Sequence, residues 1–213
     1  CLAPATRLHY GSNSYAAQTF SDIPAEDGRR IRIAWNTTGI PDSYFCGSMC
    51  IPCEMKLETI DGEETLTAWP VEEVSSLFAE EEDKTLENLA AGTTVLSRRP
   101  FGPQWLEFTV TPSQDSVFEL SLFGMTVEVN VEENAVRCMD KTMPLCMEDG
   151  KIHLLILADA MGFEIYGGRG QAFLCMGFCA DDCLNRLNLT VKKGSIKTLC
   201  CRLAALNSVW PSK

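Results

Sequence analysis

Histidine is nearly absent: only His9 and His153 occur among 213 residues, and neither stands beside a serine or cysteine in a Gly-x-Ser-x-Gly nucleophile elbow. Catalysis or metal binding built on several imidazoles has little to work with. Positive charge is also scarce, since eighteen Lys and Arg face twenty-nine Asp and Glu for a net charge of -11. That balance repels phosphate backbones and anionic lipid surfaces, so neither a nucleic-acid nor a membrane partner is expected. No stretch approaches the roughly 18 to 20 uninterrupted apolar residues of a membrane helix. The N-terminus lacks the charged and apolar regions of a signal peptide. The chain begins at Cys1, within what reads as structured sequence, so an upstream piece is expected to lie outside it. A phosphate loop is missing, because Gly167-Gly168-Arg169-Gly170 joins two strand-like runs and reads as a hairpin turn. No internal repeat of about 20 to 50 residues is visible, which argues against a series of propeller blades.

What the sequence does contain is strand. With 46% hydrophobic residues it can bury a core. Alternating or continuous apolar runs cover 29–35, 104–111, 117–123, 125–131, 151–159, 162–166, 171–178 and 184–191, separated by turn residues such as Asp27-Gly28, Asp149-Gly150 and Lys193-Gly194. Short strands at roughly ten-residue spacing predict an antiparallel sandwich, barrel or propeller blade. Helix is expected only at Val71 to Leu77 and at Glu80 to Leu89, the latter equally readable as a solvated acidic loop. A composition shift puts a boundary between Leu57 and Val74.

Eleven cysteines in a chain too large to need disulfide staples fit small apolar side chains in a reducing compartment, so a cytoplasmic location is expected. The sequons Asn36-Thr-Thr and Asn188-Leu-Thr point weakly to the outside of the cell. Cys46-x3-Cys50-x2-Cys53 could share a zinc only with a fourth ligand, and no matched Cys-x2-Cys or His pair is present, so no metal and no cofactor are expected. Cys175 and Cys179 fall on one face of a strand-like run and are expected in the core, and His153 is expected to be packed inside an apolar strand. The carboxylate pairs Glu63-Glu64 and Glu72-Glu73 and the run from Glu80 to Asp83 lie in polar segments where an acid keeps an ordinary pKa. Chemistry alone reveals no active site.

The order of several segments says more. Leu8-His-Tyr-Gly11, Tyr15-Ala-Ala-Gln-Thr-Phe20, Asp27-Gly-Arg-Arg-Ile-Arg-Ile-Ala-Trp35 and Met49-Cys-Ile-Pro-Cys-Glu-Met-Lys-Leu57 closely resemble glycoside hydrolase family 32, the β-fructosidases: invertases, sucrose-6-phosphate hydrolases, levanases and inulinases. Pro70-Val-Glu-Glu-Val-Ser-Ser-Leu77 resembles the family's connecting segment. Leu154 to Tyr166, with Gly170-Gln-Ala-Phe173, resembles its sandwich signature, and Leu203 to Trp210 fits the closing strand. The resemblance covers nearly the whole chain.

It implies an all-β architecture, the last blade of a five-bladed propeller followed by an antiparallel β-sandwich, with residues 1–57 as the end of the propeller, 58–77 as a linker and 78–213 as the sandwich. Leu106, Phe108, Val110, Phe118, Leu120, Leu122, Leu155, Leu157, Phe163, Ile165, Phe173, Leu187 and Leu189 are the expected sandwich core. The family cleaves terminal β-fructosides with retention, using carboxylates in Asn-Asp-Pro-Asn and Glu-Cys motifs and a transition-state-binding Arg-Asp-Pro motif, none of which occurs here. The resemblance therefore implies the C-terminal part of a fructosidase, without catalytic carboxylates, supplying a supporting sandwich and part of the pocket wall. Trp35 resembles the family's substrate-side tryptophan, with Tyr15, Gln18 and His9 as further candidates for the rim around a fructose-containing saccharide. The implied partners are an upstream propeller of the same chain and a second copy in a homodimer. A non-catalytic carbohydrate-binding or structural sandwich is the competing reading. Three departures stand out: His9 where the family has Asp, Cys53 where it has Arg, and Asp159-Ala-Met-Gly-Phe-Glu164 where it has Asp-Arg-Ser-Ser-Val-Glu. Loss of the arginine removes a planar, multidentate partner for carboxylates.

Overall fold

A computed structural model describes residues 7–39 and 44–208. It contains three antiparallel sheets. The first and smallest is built from β1 (Ser14–Thr19), β2 (Arg30–Gly39), β3 (Cys46–Met49), β4 (Cys53–Ile60) and β5 (Glu63–Pro70), in the order β1-β2-β4-β5 with β3 also paired to β2. A 3-10 turn at Glu72–Leu77 leads out of it. The remaining strands are β6 (Phe78–Leu89), β7 (Gly92–Arg98), β8 (Gln104–Pro112), β9 (Val117–Leu122), β10 (Met125–Asn130), β11 (Ala135–Cys138), β12 (Lys141–Pro144), β13 (Met147–Glu148), β14 (Lys151–Asp159), β15 (Gly162–Gly167), β16 (Ala172–Gly177), β17 (Arg186–Lys193) and β18 (Ile196–Leu206). They form a six-stranded sheet, β12-β11-β10-β9-β17-β7, and a seven-stranded sheet, β16-β15-β14-β8-β18-β6 with β13 beside β14.

The two large sheets pack face to face. Phe108 and Val110 of β8, Leu154 and Ile156 of β14 and Leu203 of β18 meet Phe118, Leu120, Val127, Leu187 and Leu189 from the facing sheet, all buried. Every residue of the expected core is buried. Leu155, Leu157 and Phe173, however, belong to a second cluster on the opposite face of the seven-stranded sheet, with Trp105, Tyr166, Cys175 and, from the small sheet, Ala34, Cys50, Cys53 and Ala68. That sheet is therefore covered on both faces. This is why β14 reads as the unbroken run Ile-His-Leu-Leu-Ile-Leu-Ala instead of alternating.

Three sequence expectations change. Glu80 to Leu89 is not helical but lies in edge strand β6, paired along its length with β18. Its period-two signal was hidden because the half-buried positions 82 and 84 carry Glu and Lys, which pair with each other at 2.7 Å. The segment 58–77, expected as a linker, includes most of a hairpin: Cys53–Ile60 and Glu63–Pro70 pair residue by residue across a two-residue Asp61-Gly62 turn whose φ values are both positive. Cys179 is exposed beyond the end of β16, so only Cys175 of that pair is a core residue. The segment at 168–170 is a short 3-10 turn joining β15 to β16, as expected of a hairpin.

Candidate functional site

The register of β1 and β2 places the expected sugar-side residues. Tyr15 pairs with Trp35 and Gln18 with Ile33 across a bulge between them, so all four share one face of the small sheet. Arg32, Ala34 and Asn36 alternate with them and are buried on the other face. The guanidinium of Arg32 lies 5.0 Å from the Phe173 ring centroid, which fixes that face toward the seven-stranded sheet. Tyr15 and Trp35 meet edge to face at 6.4 Å. Their outward face is open, Tyr15 being 66% and Trp35 38% exposed. The indole N–H of Trp35 donates to the Cys46 carbonyl at 3.2 Å, and its ring lies so close to Gly47 that a Cβ there would sit 2.3 Å from Nε1. The hairpin thus presents a rigid aromatic pair with an amide beside it, and Met49, partner of Trp35, extends the apolar surface.

His9 is elsewhere. It bridges to Phe173 at the free edge of β16, where Tyr10 and Ser12 donate to Phe173 and Cys175 carbonyls, and its ring lies 4.9 Å from that of Phe173. Its Nε2 is buried with no hydrogen-bond partner among the described residues. Burial, with Arg32 and Arg7 nearby, holds its pKa down at about 4. The structure therefore gathers Tyr15, Gln18 and Trp35 and sets His9 apart, on the side facing the sandwich.

The contact between the small sheet and the sandwich contains groups that sequence reasoning did not assemble. Glu164 of β15 is 8% exposed; one of its carboxylate oxygens accepts the Ile51 amide at 2.9 Å and the other the Tyr166 hydroxyl at 2.6 Å. Burial pushes the Glu164 carboxyl above its usual range, opposed by these hydrogen bonds and by Arg32. The Cys53 sulfur lies 3.3 Å from the same tyrosine oxygen, and burial pushes its pKa up to about 12. The three cysteines of the 46–53 cluster face three different neighbours: Cys46 the Thr37 carbonyl, Cys50 the sulfur of Cys175, and Cys53 Tyr166. Among the described residues, Asp181, Asp182 and Cys183 have ligand atoms within reach of one ion, and all three are exposed. Period-two spacing of Glu164 and Tyr166 was a readable sign that both share a face; what lay opposite was not.

Beside this contact runs a cleft of about 420 Å³ lined by Lys56, Trp69, Glu107, Thr109, His153 and Arg169. His153, expected to be packed, forms part of its wall, with Nδ1 3.2 Å from the Thr109 hydroxyl.

No protein-family model matches the sequence. A levanase of Bacillus subtilis (strain 168) is 24% identical over 230 residues, a match covering 94% of this chain and 34% of the levanase. Among solved structures, an exo-inulinase from Aspergillus awamori superposes with a TM-score of 0.84 at 19% identity, covering 98% of this chain and 46% of that one. A sucrose-6-phosphate hydrolase from Lactobacillus gasseri gives a TM-score of 0.70 at 19% identity, covering 95% and 43%. A family 32 glycoside hydrolase from Bifidobacterium adolescentis gives 0.65 at 21%, covering 96% and 33%. The all-β fold of this chain is thus one it shares with fructoside-cleaving proteins. Its resemblance to glycoside hydrolase family 32, C-terminal part, extends over nearly its whole length, and the chain spans between a third and a half of the proteins it resembles.

Proposed function

We propose that this chain is the C-terminal module of a β-fructosidase, in which the small sheet completes a catalytic propeller and the sandwich braces it. The observation that carries this reading is the two-sidedness of the small sheet. One face is sealed on the sandwich through Ala34, Cys50, Cys53 and Ala68, while the other presents the Trp35–Tyr15 pair and Gln18 to the outside. Aromatic faces with a neighbouring amide suit the apolar faces and hydroxyls of a sugar ring. The proposed substrates are fructose-containing saccharides such as sucrose, sucrose 6-phosphate or fructan. The two carboxylates that retention requires on either side of the scissile bond are proposed to come from the remainder of the protein, with the propeller of the same chain as partner.

The test is hydrolysis of sucrose and inulin by the 213-residue chain beside a form extended through the upstream reading frame. Activity in the extended form alone is the expected result. Activity in the short chain would place the acids among its own Asp and Glu, and inactivity of both would remove the fructosidase reading.

A further inference from the structure

Among the described cysteines, Cys50 and Cys175 stand apart: their sulfurs lie 3.6 Å from each other, between residues 125 positions apart in sequence. Cys50 follows β3 and is held by its own amide, which donates to the Ala34 carbonyl at 2.9 Å. Cys175 lies in β16, across the ladder from Glu164. Both are buried, at 5% and 0% exposure. The two thiols therefore reach each other across the contact between the small sheet and the sandwich, each positioned by hydrogen-bonded backbone. Cys53 is turned away from them, its sulfur lying 3.4 Å from the Ile51 carbonyl and 3.3 Å from the Tyr166 oxygen.

We propose that Cys50 and Cys175 are an oxidation site, forming a disulfide in the presence of hydrogen peroxide and locking the small sheet to the sandwich. The Cys50 sulfur attacks one peroxide oxygen and the O–O bond breaks. The departing oxygen takes up the Cys50 proton and leaves as water, giving a sulfenic acid. The Cys175 sulfur then attacks the sulfenic sulfur, the S–O bond breaks, and the hydroxyl leaves as a second water with the Cys175 proton. Two thiols and one peroxide become one disulfide and two waters.

The order of attack follows from enclosure: Cys50 is 5% and Cys175 0% exposed, so a small oxidant meets the Cys50 sulfur first. A cleft of about 100 Å³ lies next to the pair, lined by Met49 and Ile51, the residues on either side of Cys50, and by Glu164, the ladder partner of Cys175. A peroxide molecule is little larger than the water such a space admits. The cross-link closes a long loop and so restricts the unfolded chain more than the folded one.

The experiment treats the 213-residue chain with hydrogen peroxide, blocks remaining thiols and maps peptides without reduction. To suppress intermolecular bonds, it uses a variant with the exposed Cys46, Cys179, Cys183 and Cys200 changed to Ser. The expected result is a peptide pair joining Cys50 to Cys175, a chain about 2 Da lighter, and a melting midpoint raised by roughly 5 to 10 °C that returns on reduction. Cys175→Ser should abolish the pair and leave Cys50 trappable as sulfenic acid. A bond from Cys50 to Cys53, or peroxide leaving Cys50 and Cys175 as free thiols while the fold persists, would overturn the proposal. The peptide map of the parent chain decides the question even where the serine variant does not fold.

Discussion

The hydroxyl of Tyr166 donates to the Glu164 carboxylate at 2.6 Å, between residues two apart on one face of β15, inside the contact between the small sheet and the sandwich. The same tyrosine oxygen faces the Cys53 sulfur at 3.3 Å. The carboxylate is thus held by two neutral donors, a phenol and the Ile51 amide, and Arg32 acts on it only through space. Without a forked guanidinium to repay its desolvation, the charged form is poorly supported. That explains the direction of its pKa.

Stability should follow. A carboxyl whose folded pKa is raised contributes most below its unfolded value, and that contribution is lost as pH rises through the folded value. Glu164→Gln should remove this component, so the gap in midpoint between parent and variant should shift in the variant's favour from pH 4 upward. Glu164→Ala removes the acceptor of the Ile51 amide and leaves the Tyr166 hydroxyl only the Cys53 sulfur, so it should cost about 1 to 3 kcal/mol below pH 4, a cost that shrinks as pH rises just as for the Gln variant. Denaturant titrations at several pH values check both. A pH-independent gap for the Gln variant would show that Glu164 is not the titrating group.

His9 should act in the opposite sense. Its folded pKa of about 4 lies below the ordinary 6.5, so its contribution is complete above 6.5 and is lost as pH falls toward 4. His9→Phe keeps an aromatic ring against Phe173 and removes a buried nitrogen that has no partner among the described residues. The variant should match or exceed the parent at pH 7 and should lose less stability on acidification. Imidazole titration followed by NMR reads the pKa directly, and a value near 6.5 would remove the argument.

Much of the fold was legible because one face of most sandwich strands is buried and the other is half-exposed, as in Val117 to Leu122. The β4–β5 hairpin was missed although Asp61-Gly62, a strong turn dipeptide, stood between two strand-like runs; the charged flanks at 56–58 and 63–64 masked the alternation. Edge strand β6 was hidden by charge at its half-buried positions. Of the site, Tyr15, Gln18 and Trp35 could be read as one group, whereas the separation of His9 depended on an isolated bridge to a residue 164 positions away, which no local pattern encodes. The same holds for Glu164 with Ile51, and for Cys50 with Cys175.

Gly170 is where the β15–β16 turn meets the small sheet. Its φ is +98°, and a Cβ there would lie 2.3 Å from the Ala68 carbonyl oxygen, a backbone atom that cannot swing aside. Gly170→Ala should therefore cost more than about 2 kcal/mol. Gly62, with positive φ and open space around it, should cost only about 1 kcal/mol on the same change. Equal losses would mean that backbone strain alone, and not the close approach, sets the cost.

Trp35 separates the functional reading from packing. Its indole is partly exposed and faces away from the sandwich, so Trp35→Ala should cost the fold little, on the order of 1 kcal/mol. In the extended protein of the proposed function, loss of an aromatic wall should lower kcat/KM on sucrose by roughly tenfold or more, about 1.4 kcal/mol of transition-state binding. An unchanged kcat/KM would remove Trp35 from the sugar side.

Leu154 and Leu155 are adjacent, buried to 1% and 0%, and point into different clusters: Leu154 into the space between the two large sheets, Leu155 toward the small sheet. Each truncation to alanine should cost about 2 to 5 kcal/mol. If the sandwich stood alone and the small sheet rested loosely on it, Leu155 would behave as a surface residue and its loss would fall within about 0.5 kcal/mol. The two variants should also fail differently. Leu155→Ala should hasten proteolysis within residues 14–70 ahead of global unfolding, whereas Leu154→Ala should expose both large sheets together, because the small sheet is anchored through the face that Leu155 supplies. Simultaneous cleavage throughout the chain in both variants would show that the three sheets open as one unit.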